Sequence, residues 1–138
     1  MYQHILVPVD FSERNPQALM VALEMARMGN GRVSLLHVIK LISGALEDFQ
    51  DFYEKLEAEA HAKMTTLIAS QPDVEIALTS HIIVGHRVEE ILRFAAGQDV
   101  DLIVMSSHKI DLQHPDEGWG TISHKVSILA QCPVLLVK

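Results

Sequence analysis

A single cysteine, Cys132, excludes an internal disulfide. Its apolar neighbours Pro133, Val134 and Leu135 mark it as a buried thiol of a reducing compartment, not a nucleophile. No run of about twenty apolar residues is present, which excludes a membrane-spanning helix. The opening Met1–Val7 passes straight into a strand-like run. It has neither a charged n-region nor an h-region of signal-peptide length, so a cytoplasmic protein is expected. Basic side chains are also few, 11 against 18 acidic ones, for a formal charge of −7. That balance argues against wide contact with nucleic acid or an anionic membrane, both of which need a basic face. No stretch rich in Pro, Gly and Ser divides the chain and no repeat runs through it, so residues 1–138 are expected to form one domain.

What is present is a series of five short apolar runs: Ile5–Val9, Val33–Val38, Glu75–Val84, Leu102–Met105 and Val134–Val137. Four are nearly continuous in Val, Ile and Leu, the pattern of strands covered on both faces. The third alternates in part, which suits an edge strand with one wetter face. Helical segments fill the gaps. Ser12 is placed to cap the first, Pro16 falls in its first turn, and Leu19, Ala22, Leu23 and Ala26 form its apolar stripe. Gly29 and Gly31 are expected to end it and turn the chain back. A long amphipathic helix from about Ala45 to Ser70 follows, with Phe49, Phe52, Leu56, Ala60, Met64 and Leu67 on its inner face. A third runs from about Val88 to Ala96 with Glu89 and Glu90 near its positive end, and the last starts near Gly120-Thr121. The alternation predicts a doubly wound, three-layer α/β fold around a five-stranded parallel sheet. Ligands in such sheets bind beyond the carboxyl ends of the strands, here Asp10, Val38, Gly85 and Ser106–Lys109.

Several passages resemble the universal stress protein family. Val7-Pro8-Val9-Asp10-Phe11-Ser12 is similar to its V-P-V-D-G-S opening, and Leu35-Leu36-His37-Val38 to its L-L-H-V second strand. Val84-Gly85 with Glu89-Glu90-Ile91-Leu92 resembles V-x-G-x-x-x-E-E-I-L. Asp101–Met105 resembles D-L-I-V-M, and Cys132–Val137 the closing C-P-V-L-V-V. The matches keep the family's order along the whole chain. The resemblance implies a strand order of 3-2-1-4-5, as in adenine nucleotide alpha hydrolase-like folds. It also implies a homodimer joined through the last strand, Val134, Leu135, Leu136 and Val137. A bare apolar edge strand is an aggregation hazard, which agrees with such pairing.

Many members of that family bind ATP on a loop written G-x2-G-x9-G-S/T, where glycines let backbone N–H groups approach the phosphates. Here Ser106 and Lys109 stand where the first two glycines belong, ten residues separate Lys109 from Gly120, and only Gly120-Thr121 survives. Asp111, Asp116 and Glu117 add carboxylates, while His86, Arg87, His108, Lys109 and His114 offer positive charge. The adenosine end is less altered. By resemblance Pro8, Val9, Asp10, Val38 and Gly85 would hold base and ribose, although Phe11 replaces the usual glycine and narrows that space. Asp10 also has a plainer role, capping the start of the first helix.

The eight histidines show no metal-ligand spacing, and His4 and His37 read as satisfied residues of strands. Ser106, Ser107 and His108 are adjacent, and adjacent residues at a strand end rarely face one another; no G-x-S-x-G elbow exists. Trp119, alone in a Gly-Trp-Gly loop, is expected to plug the nucleotide cleft. These residues favour a non-catalytic, dimeric stress-response protein acting through contacts with an unidentified protein partner. The alternative is an adenine-nucleotide sensor binding AMP or ATP, with Ser106, Lys109, Gly120 and Thr121 at its phosphate end.

Overall fold

The computed structural model describes residues 1–42, 49–72, 75–107, 113 and 121–138. The described elements are β1 (His4–Pro8), α1 (Asn15–Gly29), β2 (Arg32–Lys40), α2 (Gln50–Ala69), β3 (Ala77–Gly85), α3 (Arg87–Gly97), β4 (Leu102–Ser106), α4 (Ile122–Leu129) and β5 (Val134–Val137). All strand pairs are parallel and the order is β3-β2-β1-β4-β5, as expected. The third strand is at an edge, which explains its partial alternation; β5 is the other edge.

Strand periodicity divides the core into two layers. Ile5, Val7, Val9, Val33, Leu35, Leu102 and Val104 pack against α1 and α2, while Leu6, Leu36, Val38, Ile103 and Met105 face α3 and α4. Because both faces are covered, the central strands are apolar at nearly every position. The polar exceptions are satisfied. His4 is buried, its Nδ1–H donating to the Gln98 carbonyl (2.8 Å) and its Nε2 lying 2.7 Å from Ser34 Oγ. Ser34 in turn reaches Thr79 Oγ1 at 3.1 Å, so one polar chain crosses three strands inside the sheet.

Three local expectations are corrected. Ser12 does not cap α1; Arg14 holds the N-cap position with no side-chain bond, and Ser12 contributes only its carbonyl, accepting from the Asn15 N–H (3.2 Å). The left-handed residue that ends α1 is Asn30 (φ 52°), not a glycine. Gly29 and Gly31 are required for another reason: a Cβ on either would collide with the backbone of Met1 or Tyr2. The inner face of α2 is also rotated by one residue at its start. Tyr53, Ala60, Met64 and Leu67 are buried, whereas Phe52 is 45% exposed and Phe49 and Leu56 are half-buried. Neighbouring residues lie 100° apart on a helix, so either ring fits the stripe. Tyr53 wins because its hydroxyl accepts the Ile42 N–H (2.7 Å) as the chain leaves β2. Ala45–Asp48, where the helix was expected to begin, lie outside the described residues.

The two aromatic substitutions therefore separate. Tyr53→Ala should destabilise the protein by about 3 kcal/mol and Phe52→Ala by less than about 1 kcal/mol, read from urea unfolding midpoints. Equal losses would place both rings in the core.

Candidate functional site

The strand order reverses between β1 and β4, and the chain between β1 and α1 crosses the opening left there. That crossing is fixed by Asn15, which is 1% exposed. Its Oδ1 accepts from the backbone N–H groups of Asp10 (3.1 Å) and Phe11 (2.7 Å), and its Nδ2 donates to Ser106 Oγ at the end of β4 (3.1 Å). One side chain thus joins the first strand's loop to the fourth strand. It was not singled out from the sequence, where an Asn just before a helix Pro reads as ordinary turn chemistry.

Asp10 folds the same loop from within. Its Oδ1 accepts from the Ser12 N–H (3.0 Å), a local turn and not a helix cap. Partial burial works to raise its pKa. Hydrogen bonds from Ser12, from its own N–H and from the Asn15 side chain outweigh that and hold the carboxyl below 3.8. Phe11 follows with φ 63°, the left-handed region. The backbone conformation that the family writes with glycine is therefore kept, with a phenylalanine in it.

The Phe11 ring lies against His37, centroids 4.4 Å apart, with Lys63 Nζ 5.9 Å from its centroid. His37, half-buried in β2, donates from Nδ1 to the Val9 carbonyl (2.8 Å). Burial lowers its pKa below 6.5, the Val9 bond opposes this, and the Arg87 charge adds to the lowering. Around these groups open two adjoining cavities. The larger, about 560 Å³, runs along the end of β2 towards α2 and is lined by Asp10, Phe11, His37, Val38, Lys63 and Arg87, among others. The smaller, about 100 Å³, lies at the switch point between Pro8, Val9, Asp10, Asn15, Ser106 and Ile122. Arg87, the first residue of α3, lines both.

Pro8, Val9, Asp10, Val38 and Ser106 line the smaller cavity together. Gly85 is not in the lining of either cavity. It ends β3, its carbonyl accepts from Leu41 N–H (3.0 Å), and its missing Cβ makes room for the Glu90 side chain. Thr121 caps α4, its Oγ1 accepting from His124 N–H (3.3 Å). Lys109, Gly120, His108, His114, Asp111, Asp116, Glu117 and Trp119, with the expected plug, lie outside the described residues. His37, Lys63 and Asn15 are the site residues that the sequence reading left out of the cleft. Cys132 is half-buried, and burial pushes its thiol pKa up. Among the described residues no group of three His, Cys, Asp or Glu side chains is placed to hold a metal ion, and no helix is long and apolar enough to cross a membrane.

Comparison with known proteins gives a consistent neighbourhood. Residues 1–138 match the model of the universal stress protein family. Universal stress protein MJ0577 of Methanocaldococcus jannaschii is 32% identical over 157 residues, covering 100% of this chain and 96% of its own. The solved structure of MJ0577 superposes with a TM-score of 0.80 at 34% identity, again over 100% and 96% of the two chains. A universal stress protein solved in complex with cAMP shares the fold at 18% identity and a TM-score of 0.72, over 99% and 97% of the chains. So does one from Archaeoglobus fulgidus in complex with dAMP, at 23% identity and a TM-score of 0.65, over 99% and 98%.

Asn15→Ala should cost about 2–3 kcal/mol, because a buried side chain loses three part-buried hydrogen bonds and two backbone donors lose their acceptor. Thermal or urea unfolding would measure it. A loss under about 0.5 kcal/mol would show that water replaces the amide and that the loop does not depend on it.

Proposed function

Because the chain belongs to the universal stress protein family, we propose that it is a non-catalytic stress-response protein that binds an adenine nucleotide at the strand ends and transmits its presence through protein contacts. The observation that supports this reading is the open cleft at the β1–β2 ends, whose walls include Pro8, Val9, Asp10 and Val38, four of the five residues that the resemblance gives to the adenosine end. At about 560 Å³ the larger cavity falls within the roughly 300–1,000 Å³ of small-molecule sites. Phe11 narrows the space but leaves it open, and its ring with His37 offers an apolar wall against which a base can lie. Two relatives of the same fold were solved with cAMP and dAMP, ligands bearing a single phosphate. The loop 106–121, with Ser106 and Lys109 in place of glycines, is poorly suited to a triphosphate.

Support for the non-catalytic part comes from how hydroxyls are used. Ser106 Oγ is engaged by Asn15, and the hydrogen-bonded serine–histidine pair Ser34–His4 is buried inside the sheet, where no substrate reaches. Calorimetric titration of nucleotide-free protein tests the ligand. AMP is expected to bind at micromolar strength, about −8 kcal/mol, with ATP no tighter in the presence or absence of Mg²⁺. An absence of heat up to millimolar AMP and ATP would overturn nucleotide binding and leave the protein contacts alone. ATP far tighter than AMP would instead restore a working triphosphate loop.

We further propose a homodimer joined through β5, in a cytoplasmic setting. The four apolar residues of that edge strand leave Leu135 38% exposed beside unpaired backbone groups. Leu135→Lys is expected to convert a dimer to a monomer in light scattering; a monomeric parent protein would refute the pairing.

A further inference from the structure

The larger cavity carries a concentration of positive charge that the whole-chain balance of −7 does not foreshadow. Lys40 ends β2, Lys63 stands on α2 and Arg87 opens α3, and all three line that space, together with the carboxylates of Asp10 and Glu59. Among the described residues the direct ion pair is Arg93 with Glu90, on the flank of α3, so none of the three cations is neutralised by a paired carboxylate there. Lys63 is steered towards the cavity by the face of Phe11, 5.9 Å from its Nζ. Arg87 occupies the junction with the smaller cavity.

The end of β4, by contrast, has used its donors. The Ser107 N–H donates to the Val137 carbonyl (2.8 Å) as part of the β4–β5 ladder, and Ser106 Oγ is already the acceptor of Asn15. A phosphate arriving at the end of β4 finds the Ser107 amide already engaged, and Ser106 where the family motif has its first glycine. Lys40, Lys63, Arg87 and the larger cavity lie on the α2 side instead.

We propose that the phosphate of the bound nucleotide is received by side chains: Arg87, Lys63 and Lys40 form a phosphate subsite in the larger cavity, so that the ligand class is a nucleoside mono- or cyclic monophosphate lying with its phosphate towards α2. The inference rests on the nucleotide reading above and specifies which part of the cleft holds the charge. Guanidinium and ammonium groups bind phosphate without a preformed amide nest, and Arg87 presents a planar fork suited to two phosphate oxygens. Since all three cations are solvent-exposed, their attraction is screened by salt within a Debye length of about 8 Å at physiological strength. Glu59 opposes the phosphate from the same wall.

The test is the ratio of AMP affinity to adenosine affinity, measured by calorimetry at low and high salt. The parent protein should favour AMP, and the preference should shrink with salt. Arg87→Gln and Lys63→Gln should each cut the ratio about tenfold, the value of one charge-assisted hydrogen bond. Glu59→Gln should raise it, and Lys109→Gln should leave it standing. A ratio that survives Arg87→Gln and Lys63→Gln but collapses in Lys109→Gln would move the phosphate to the 106–121 loop and overturn the proposal. So would a parent protein that binds adenosine as tightly as AMP, an outcome that leaves nucleoside binding intact. Failure of both ligands to bind would remove the nucleotide reading and this subsite together.

Discussion

The amide of Asn15 is the constraint on which the cleft depends. In a sheet of order 3-2-1-4-5 the ladder pairs β1 with β4 only at Ile5–Leu102 and Leu6–Ile103, and beyond it the two strands lead to helices on opposite faces, α1 on one and α4 on the other. A buried side chain with one acceptor and one donor group joins them there. Its oxygen takes two backbone N–H groups of the β1 loop and its nitrogen takes the hydroxyl that ends β4. Each bond is worth about 1 kcal/mol net, and loss of the acceptor would leave two partly buried backbone donors without their partner. The switch point is therefore held by the three polar contacts of one buried side chain.

That contact also explains how Phe11 tolerates its backbone. A non-glycine residue in the left-handed region costs roughly 1–2 kcal/mol. Against this stand the Asn15 bond to the Phe11 N–H, the Asp10 turn that fixes the preceding residue, and the contact of the ring with His37. Hydrogen bonds of about 1 kcal/mol and an aromatic contact of about 0.5–1.5 kcal/mol together match the conformational cost. Glycine would adopt the same turn freely but would leave the space beside His37 unfilled. The strained residue thus places an aromatic surface at the carboxyl end of β2, against His37 and beside the larger cavity.

Much of the fold was legible because it is carried by local pattern. Five apolar runs separated by helical stripes specify a parallel, doubly covered sheet, and partial alternation of the third run marks an edge. Strand order was legible only through the family resemblance, since periodicity says nothing of which strands are neighbours. Asp10, Val38 and Ser106 could be placed beside the cleft because position along a parallel strand determines its carboxyl end, whereas Pro8 and Val9 were legible through the resemblance. Asn15, His37 and Lys63 could not, because each owes its role to a partner distant in sequence: Ser106 for Asn15, Val9 for His37, the Phe11 ring for Lys63. Gly85 is the opposite case. It looks like a ligand-approach glycine in the motif, yet its absent side chain makes room for Glu90, five residues on. The choice of Tyr53 over Phe52 likewise turned on a hydrogen bond to Ile42 that helical spacing does not encode.

Charge placement follows the same logic at longer range. An excess of carboxylates over the surface keeps the protein soluble and repels anions in general. Within that field a cavity walled by Lys40, Lys63 and Arg87, with low-dielectric protein behind it, becomes a local reversal of sign, and concave walls concentrate the effect. His37 sits in that field with its pKa lowered by burial and by the Arg87 charge, so near neutral pH its ring is uncharged and adds no further repulsion among the cations. Asp10, held ionised by its hydrogen bonds, supplies a fixed acceptor where the two cavities adjoin, as does the cation of Arg87 its charge. Opposite charges therefore meet at that junction, and Lys40 and Lys63 extend the positive wall through the larger cavity, where Glu59 opposes them.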